Sequence, residues 1–156
     1  APTLRTIEIT TGTRGEPLVR GAAGFHSGLS LSHVNGRGVA VAFPAAERIG
    51  LDLELIDGQR AETVRQGVPL GPEETAWLRE TTLPAATALL LLWTAREALG
   101  KALGCGLACK WETLALWEVA TVEPGVCFGS FSHWPQFRCV GWIGPDAVAT
   151  VAWETR

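Results

Sequence analysis

Methionine is absent from all 156 residues, position 1 included, and the chain is therefore expected to be a processed product, a trimmed form or an excised part of a longer polypeptide. Long hydrophobic runs are also missing. The longest apolar stretch, Ala85 to Trp93, falls well short of the ~20 residues a membrane-spanning helix needs. No basic, apolar and small-residue signal pattern opens the chain. A cytoplasmic address with no membrane partner follows as an expectation. Charge of either sign is thin: 13 basic residues stand against 16 acidic ones, for a net charge of -3. The arginines are dispersed, so the electrostatic footprint of a nucleic-acid binder is lacking. Zinc-site spacing is absent too. Cys105 and Cys109 are spaced C-x-x-x-C, and Cys127 and Cys139 lie far downstream with no paired spacing. Four free, mostly buried thiols in a reducing compartment are expected. There is no internal repeat and no low-complexity linker.

What is present suffices for a core. A chain that is 47% hydrophobic at this length can fold as one domain or two very small ones, and a single domain over residues 1–156 is expected. Alternation and turn residues predict strands at Leu4 to Ile9, Leu29 to His33, Val39 to Phe43 and Ile49 to Leu55, with a loop running through Leu18. A helix over Pro72 to Glu80 has Pro and two Glu in its first turn. A long helix opens at Pro84 and is closed by Gly104 or Gly106. Apolar runs at Leu114 to Val119, Val126 to Phe131, Phe137 to Ile143 and Ala147 to Trp153 then read as antiparallel strands. The expected class is α+β, an antiparallel sheet with helices packed on one face. Seven tryptophans supply large apolar area to a small core.

Three segments carry chemistry. In Trp93 to Gly104, WTAREALGKALG, Trp93, Glu97 and Lys101 are four apart and share one helix face. Leu89, Leu92, Ala95, Leu99 and Leu103 take the other face, spaced for burial. Alone, the Glu and Lys also fit an exposed pair that stabilises its own helix by about 0.2 to 0.5 kcal/mol. In Arg48 to Leu55, RIGLDLEL, alternation puts Gly50, Asp52 and Glu54 opposite Ile49, Leu51, Leu53 and Leu55. Such a strand can also be half solvated and nothing more. Three carboxylates converging from a strand and a helix repel one another unless a hard cation joins them, and few oxygen ligands with room for water and phosphate suit Mg²⁺ better than Zn²⁺. The third segment, Gly28 to Gly38, GLSLSHVNGRG, places Ser30, Ser32 and His33 at a strand end before an Asn-Gly turn signal. A histidine there can donate to a phosphate, although a lone histidine is commonly a plain surface or core residue.

Taken together, SLSH, IGLDLE and WTAREALGK resemble the 4′-phosphopantetheinyl transferase superfamily, in which a serine-histidine strand end, a G-hydrophobic-D-hydrophobic-E strand and a W-x-x-K-E-A-x-x-K helix occur in this order. The interval of 45 residues from Asp52 to Glu97 matches. Upstream, Gly15-Glu16-Pro17 resembles the G-[KR]-P element of the larger, surfactin-synthetase-activating type. Two positions depart from the pattern. Arg96 stands where the motif has lysine, and Glu16 replaces a basic residue near the adenine end of coenzyme A, with the neighbouring Arg14 expected to compensate.

The resemblance implies a transferase-like α+β fold that moves the phosphopantetheine arm of coenzyme A onto a serine of an acyl or peptidyl carrier protein, as in polyketide, fatty acid or nonribosomal peptide synthesis, and releases 3′,5′-adenosine bisphosphate. It implies Mg²⁺ held by Asp52, Glu54 and Glu97, with Glu97, Lys101 and His33 catalytic. Ser32, His33, Arg96, Lys101 and Arg14 are the expected coenzyme A contacts. Compared with the two-half type, the chain is expected to lack much of an N-terminal half, as a domain carved from a synthase would. That expectation leads to self-association or docking to the rest of a synthase. It also keeps open a non-catalytic coenzyme A-binding or docking module.

Overall fold

The computed structural model of the chain describes residues 7–13, 15–21 and 26–156, apart from the side chain of Leu107. Two short hairpins come first: β1 (Glu8–Thr11) with β2 (Pro17–Arg20), and β3 (Ser27–Val34) with β4 (Arg37–Pro44). The second turns at Asn35 and Gly36, both at positive φ (46° and 78°), as an Asn-Gly two-residue hairpin requires. β5 (Ile49–Leu55) follows, then α1 (Gly58–Gly67), α2 (Pro72–Glu80) and α3 (Ala85–Ala102), and then β6 (Leu116–Glu123), β7 (Val126–Phe131), β8 (Phe137–Ile143) and β9 (Ala147–Glu154). The last four strands and β5 form one antiparallel sheet in the order β5-β9-β8-β7-β6.

Helix α3 lies on this sheet against β5, β9 and β8, and α2 packs near β6 on the same side. Leu92, Ala95 and Leu99 of α3 meet Phe131, Phe137 and Cys139 in one buried cluster. A second cluster joins Ala61 and Val64 of α1 to Leu90, Leu91 and Val148. The fold is the α+β arrangement expected from the sequence. What sets the spacing between α3 and β5 is Gly50. A Cβ there would lie 1.9 Å from the Ala98 carbonyl oxygen and 2.6 Å from the Ala102 nitrogen, so only glycine lets helix and strand backbones touch. Asp52 and Glu54 leave β5 on the same side as Gly50.

Several elements differ from the sequence expectation. Pro17–Arg20 is a strand rather than loop, since Pro17 sits at a strand start where its missing N–H is tolerated. The first strand begins at Glu8, and Leu4, Arg5 and Thr6 lie outside the described residues, as does Arg14. α1 was hidden because its only buried residues are Ala61 and Val64, too few to write an apolar stripe. Residues Trp111–Leu114 form a short 3₁₀ turn, which delays β6 to Leu116. The cysteine expectation is corrected as well: Cys105 and Cys109 form a disulfide, while Cys127 and Cys139 are free and buried. The reason is local. Gly104 and Gly106 take positive φ (68° and 49°) after α3, and the turn they make brings the two Cα atoms within 5.8 Å, inside bonding range.

Candidate active site

β5, α3, α1 and the end of β3 enclose a cavity of about 710 Å³ lined by Ser32, His33, Asp52, Glu54, Arg60, Trp93 and Glu97 among others. Asp52 and Glu54 reach it from β5, Glu97 from α3. Asp52 is 6% exposed; its Oδ1 accepts from Lys101 Nζ at 2.7 Å and from Ser32 Oγ at 2.8 Å. Burial raises the Asp52 carboxyl above its ordinary range, Lys101 and Ser32 pull it back, and Glu54 adds repulsion. Glu97 is pushed up to about 7, first by burial and then by the charge of Asp52, with Lys101 opposing.

Glu54 is held through one oxygen. Its Oε1 accepts from Arg60 Nε at 3.0 Å, Arg60 NH2 at 2.5 Å and Trp93 Nε1 at 2.9 Å. Arg60 in turn lies over the Trp93 ring, 5.0 Å from its centroid, a cation–π distance. Trp111 meets the Trp93 ring at 4.8 Å. Trp93 is thus a half-buried packing residue that also forms part of the cavity wall.

Lys101 does more than face the cavity. Its Nζ also donates to the Leu31 carbonyl at 3.2 Å and the Leu51 carbonyl at 2.9 Å, so its three N–H bonds all have acceptors. Ser30 Oγ accepts from the Leu51 N–H at 2.9 Å. Side chains therefore stand between β3 and the edge strand β5 where a backbone ladder would otherwise run. On the far side of Lys101, a second cavity of about 570 Å³ is lined by Gly15, Glu16, Pro17, Glu97, Lys101 and Cys105 among others.

Arg96 does not join this site. It is 1% exposed and its guanidinium forks onto Glu74 of α2, with Nε donating at 2.9 Å and NH2 closing the pair, while NH1 donates to the carbonyls of Pro69 and Trp111. The reason is rotation: one residue back from Glu97 turns the side chain about 100° around the helix, toward the core. Glu74, itself 0% exposed, also accepts from the N–H groups of Gly71 and Leu116. Arg96 is thereby removed from the expected coenzyme A contacts.

Ser32, His33, Asp52, Glu54 and Glu97, all singled out in the sequence, are brought to one cavity, with Lys101 against Asp52. Arg60, Asp57 and Trp111 were missed. Asp57 had a readable signal, since it precedes α1 and its carboxylate accepts from the Arg60 N–H at 2.7 Å as an N-cap; Trp111 had none.

The family model for the 4′-phosphopantetheinyl transferase superfamily matches residues 48–149, more than half of the chain. The chain belongs to that superfamily. The matched span takes in Asp52, Glu54, Arg60, Trp93, Glu97 and Lys101, and leaves Ser32 and His33 outside it. No curated protein matches the chain. Membership makes phosphopantetheine transfer the general chemistry of this phosphopantetheinyl transferase fold. Among the described residues no helix is long and apolar enough to cross a membrane.

A superfamily of this kind implies a metal, and the residues can be tested for it. Among the described residues no three His, Cys, Asp or Glu side chains stand together as a ready metal site, because Asp52 is turned to Lys101 and Glu54 to Arg60. The donor chemistry nonetheless fits a hard cation: three carboxylates, Asp52, Glu54 and Glu97, border one cavity.

Proposed function

We propose that this chain transfers 4′-phosphopantetheine from coenzyme A to a serine of an acyl or peptidyl carrier protein, releasing 3′,5′-adenosine bisphosphate. The observation that carries the reading is the meeting of Asp52, Glu54 and Glu97 with Ser32 and His33 on one cavity, in a chain of this superfamily. The motif spacing and the upstream Gly15-Glu16-Pro17 element favour the larger, surfactin-synthetase-activating type.

Asp52, Glu54 and Glu97 would hold Mg²⁺, which when bound spreads negative charge over the pyrophosphate oxygens as phosphoryl transfer requires. The carrier serine hydroxyl forms a new bond to the phosphorus bearing pantetheine, and the bond from that phosphorus to the departing 3′,5′-adenosine bisphosphate breaks. Glu97 takes the serine proton as the carboxylate that reaches the cavity from α3. Lys101 meets the charge of the leaving phosphate by exchanging one of its three present acceptors for a phosphate oxygen. His33, exposed at the cavity rim, donates to a phosphate oxygen, and Ser32 keeps Asp52 oriented.

The test is the intact mass of a carrier protein after incubation with coenzyme A, Mg²⁺ and the full chain. A phosphopantetheine mass gain is expected, and it should vanish with Glu97→Ala or Asp52→Ala. Full activity in either variant would sink the assignment. Coenzyme A binding by calorimetry without any mass gain would instead identify a non-catalytic binding module.

A further inference from the structure

The cavity holds its own counter-charges. Arg60 sits on Glu54 and Lys101 sits on Asp52, so two side-chain cations face the three carboxylates that reach the cavity from β5 and α3. The remaining carboxylate on the lining, Asp57, is exposed and engaged as the N-cap of α1. Arg60 is fixed in this place from three directions. Asp57 caps its backbone N–H, Glu54 Oε1 receives its Nε and NH2, and the Trp93 ring lies under its guanidinium. An arginine so positioned cannot shed its charge by deprotonating, and its two cavity partners are themselves joined, since Trp93 Nε1–H donates to Glu54.

From this placement we infer that Arg60, with Lys101, cancels most of the carboxylate charge in the cavity of the free protein, so that a divalent cation is bound together with a phosphate-bearing ligand and only weakly without one. The inference rests on the proposed transferase reading and names a residue that reading does not use. A dication entering the free site meets at most three carboxylate charges less two side-chain cations, a small net attraction against the reluctance of such an ion to give up water. A pyrophosphate brings the missing negative charge, and the two then stabilise each other by reciprocal coupling. Arg60 acts here as a positioning residue that also sets charge. It is not required to touch the reacting atoms.

The measurement is Mn²⁺ binding to the full chain, followed by the loss of the free-ion spin-resonance signal, with and without coenzyme A. Wild type is expected to bind Mn²⁺ weakly alone and much more tightly with coenzyme A. Arg60→Gln should bind Mn²⁺ about tenfold or more tighter in the absence of coenzyme A, as follows from removing a positive charge beside a dication. Its gain on adding coenzyme A should shrink. Arg60→Lys, which keeps the charge, should stay near wild type, and it serves as the folded control. If wild type binds Mn²⁺ with coenzyme A but Arg60→Gln binds the free ion no more tightly than wild type, the inference falls while the transferase reading stands. If wild type binds no Mn²⁺ even with coenzyme A, the metal reading falls and the inference falls with it.

Discussion

Glu97 and Arg96 are neighbours in the chain with opposite fates, and each predicts a different measurement. Glu97 titrates near 7 in the folded chain against an ordinary value of 4.5. Between those values the folded state holds more protons than the unfolded one, so the stability of the metal-free chain falls as pH rises through that window. Glu97→Gln removes this slope. In urea unfolding with chelator present, the variant should match wild type near pH 4 and be the more stable at pH 8. Arg96 carries the reverse lesson. Its removal strands Glu74, which has no access to water, so Arg96→Ala should destabilise by about 3–5 kcal/mol in the same assay. A phosphate-binding arginine would instead lose ligand affinity with stability intact.

At the level of elements, the pairing of β5 with α3 is the unit that makes the site, and Gly50 is its weakest tolerance. Gly50→Ala drives a methyl into the backbone of α3. A cost of about 3 kcal/mol or more is expected in urea unfolding, together with lost carrier modification. Much of this unit was legible in sequence. Strand alternation put Asp52 and Glu54 on one face, the four-residue period aligned Trp93, Glu97 and Lys101, and both elements appear where those periods placed them. β7 and β8 also fall on their apolar runs. Arg96 misled because a motif position names a charge without saying which way the helix is rotated; only the carboxylate on α2 decides that. α1 was silent because a helix with two buried residues leaves almost no periodic trace. Its residue on the cavity lining, Arg60, could be found only through what it touches.

Across the whole molecule, the thiols divide into two kinds. Cys105 and Cys109 are joined beside the second cavity, and Cys127 and Cys139 are sealed in the core. Burial pushes the Cys139 thiol up to about 12, so almost no thiolate exists near neutral pH. Alkylation of the native chain without reductant should leave all four sulfurs unlabelled, and denaturation should expose two. Four labels under denaturing, non-reducing conditions would contradict the bridge. The hairpin β3–β4, which carries Ser32 and His33, is attached to the main sheet through side chains, with Ser30, Ser32 and Lys101 at the cavity and the Arg37–Asp146 pair at the hairpin's turn, rather than through a backbone ladder. The lysine is therefore a clasp as well as a charge. Cutting it with Lys101→Ala should silence the chemistry and loosen one wall of the cavity against the other, so a dead Lys101 variant would report a lost clasp as readily as a lost charge. Comparing it with Ser30→Ala, which loosens the same seam while leaving the ammonium in place, separates the two.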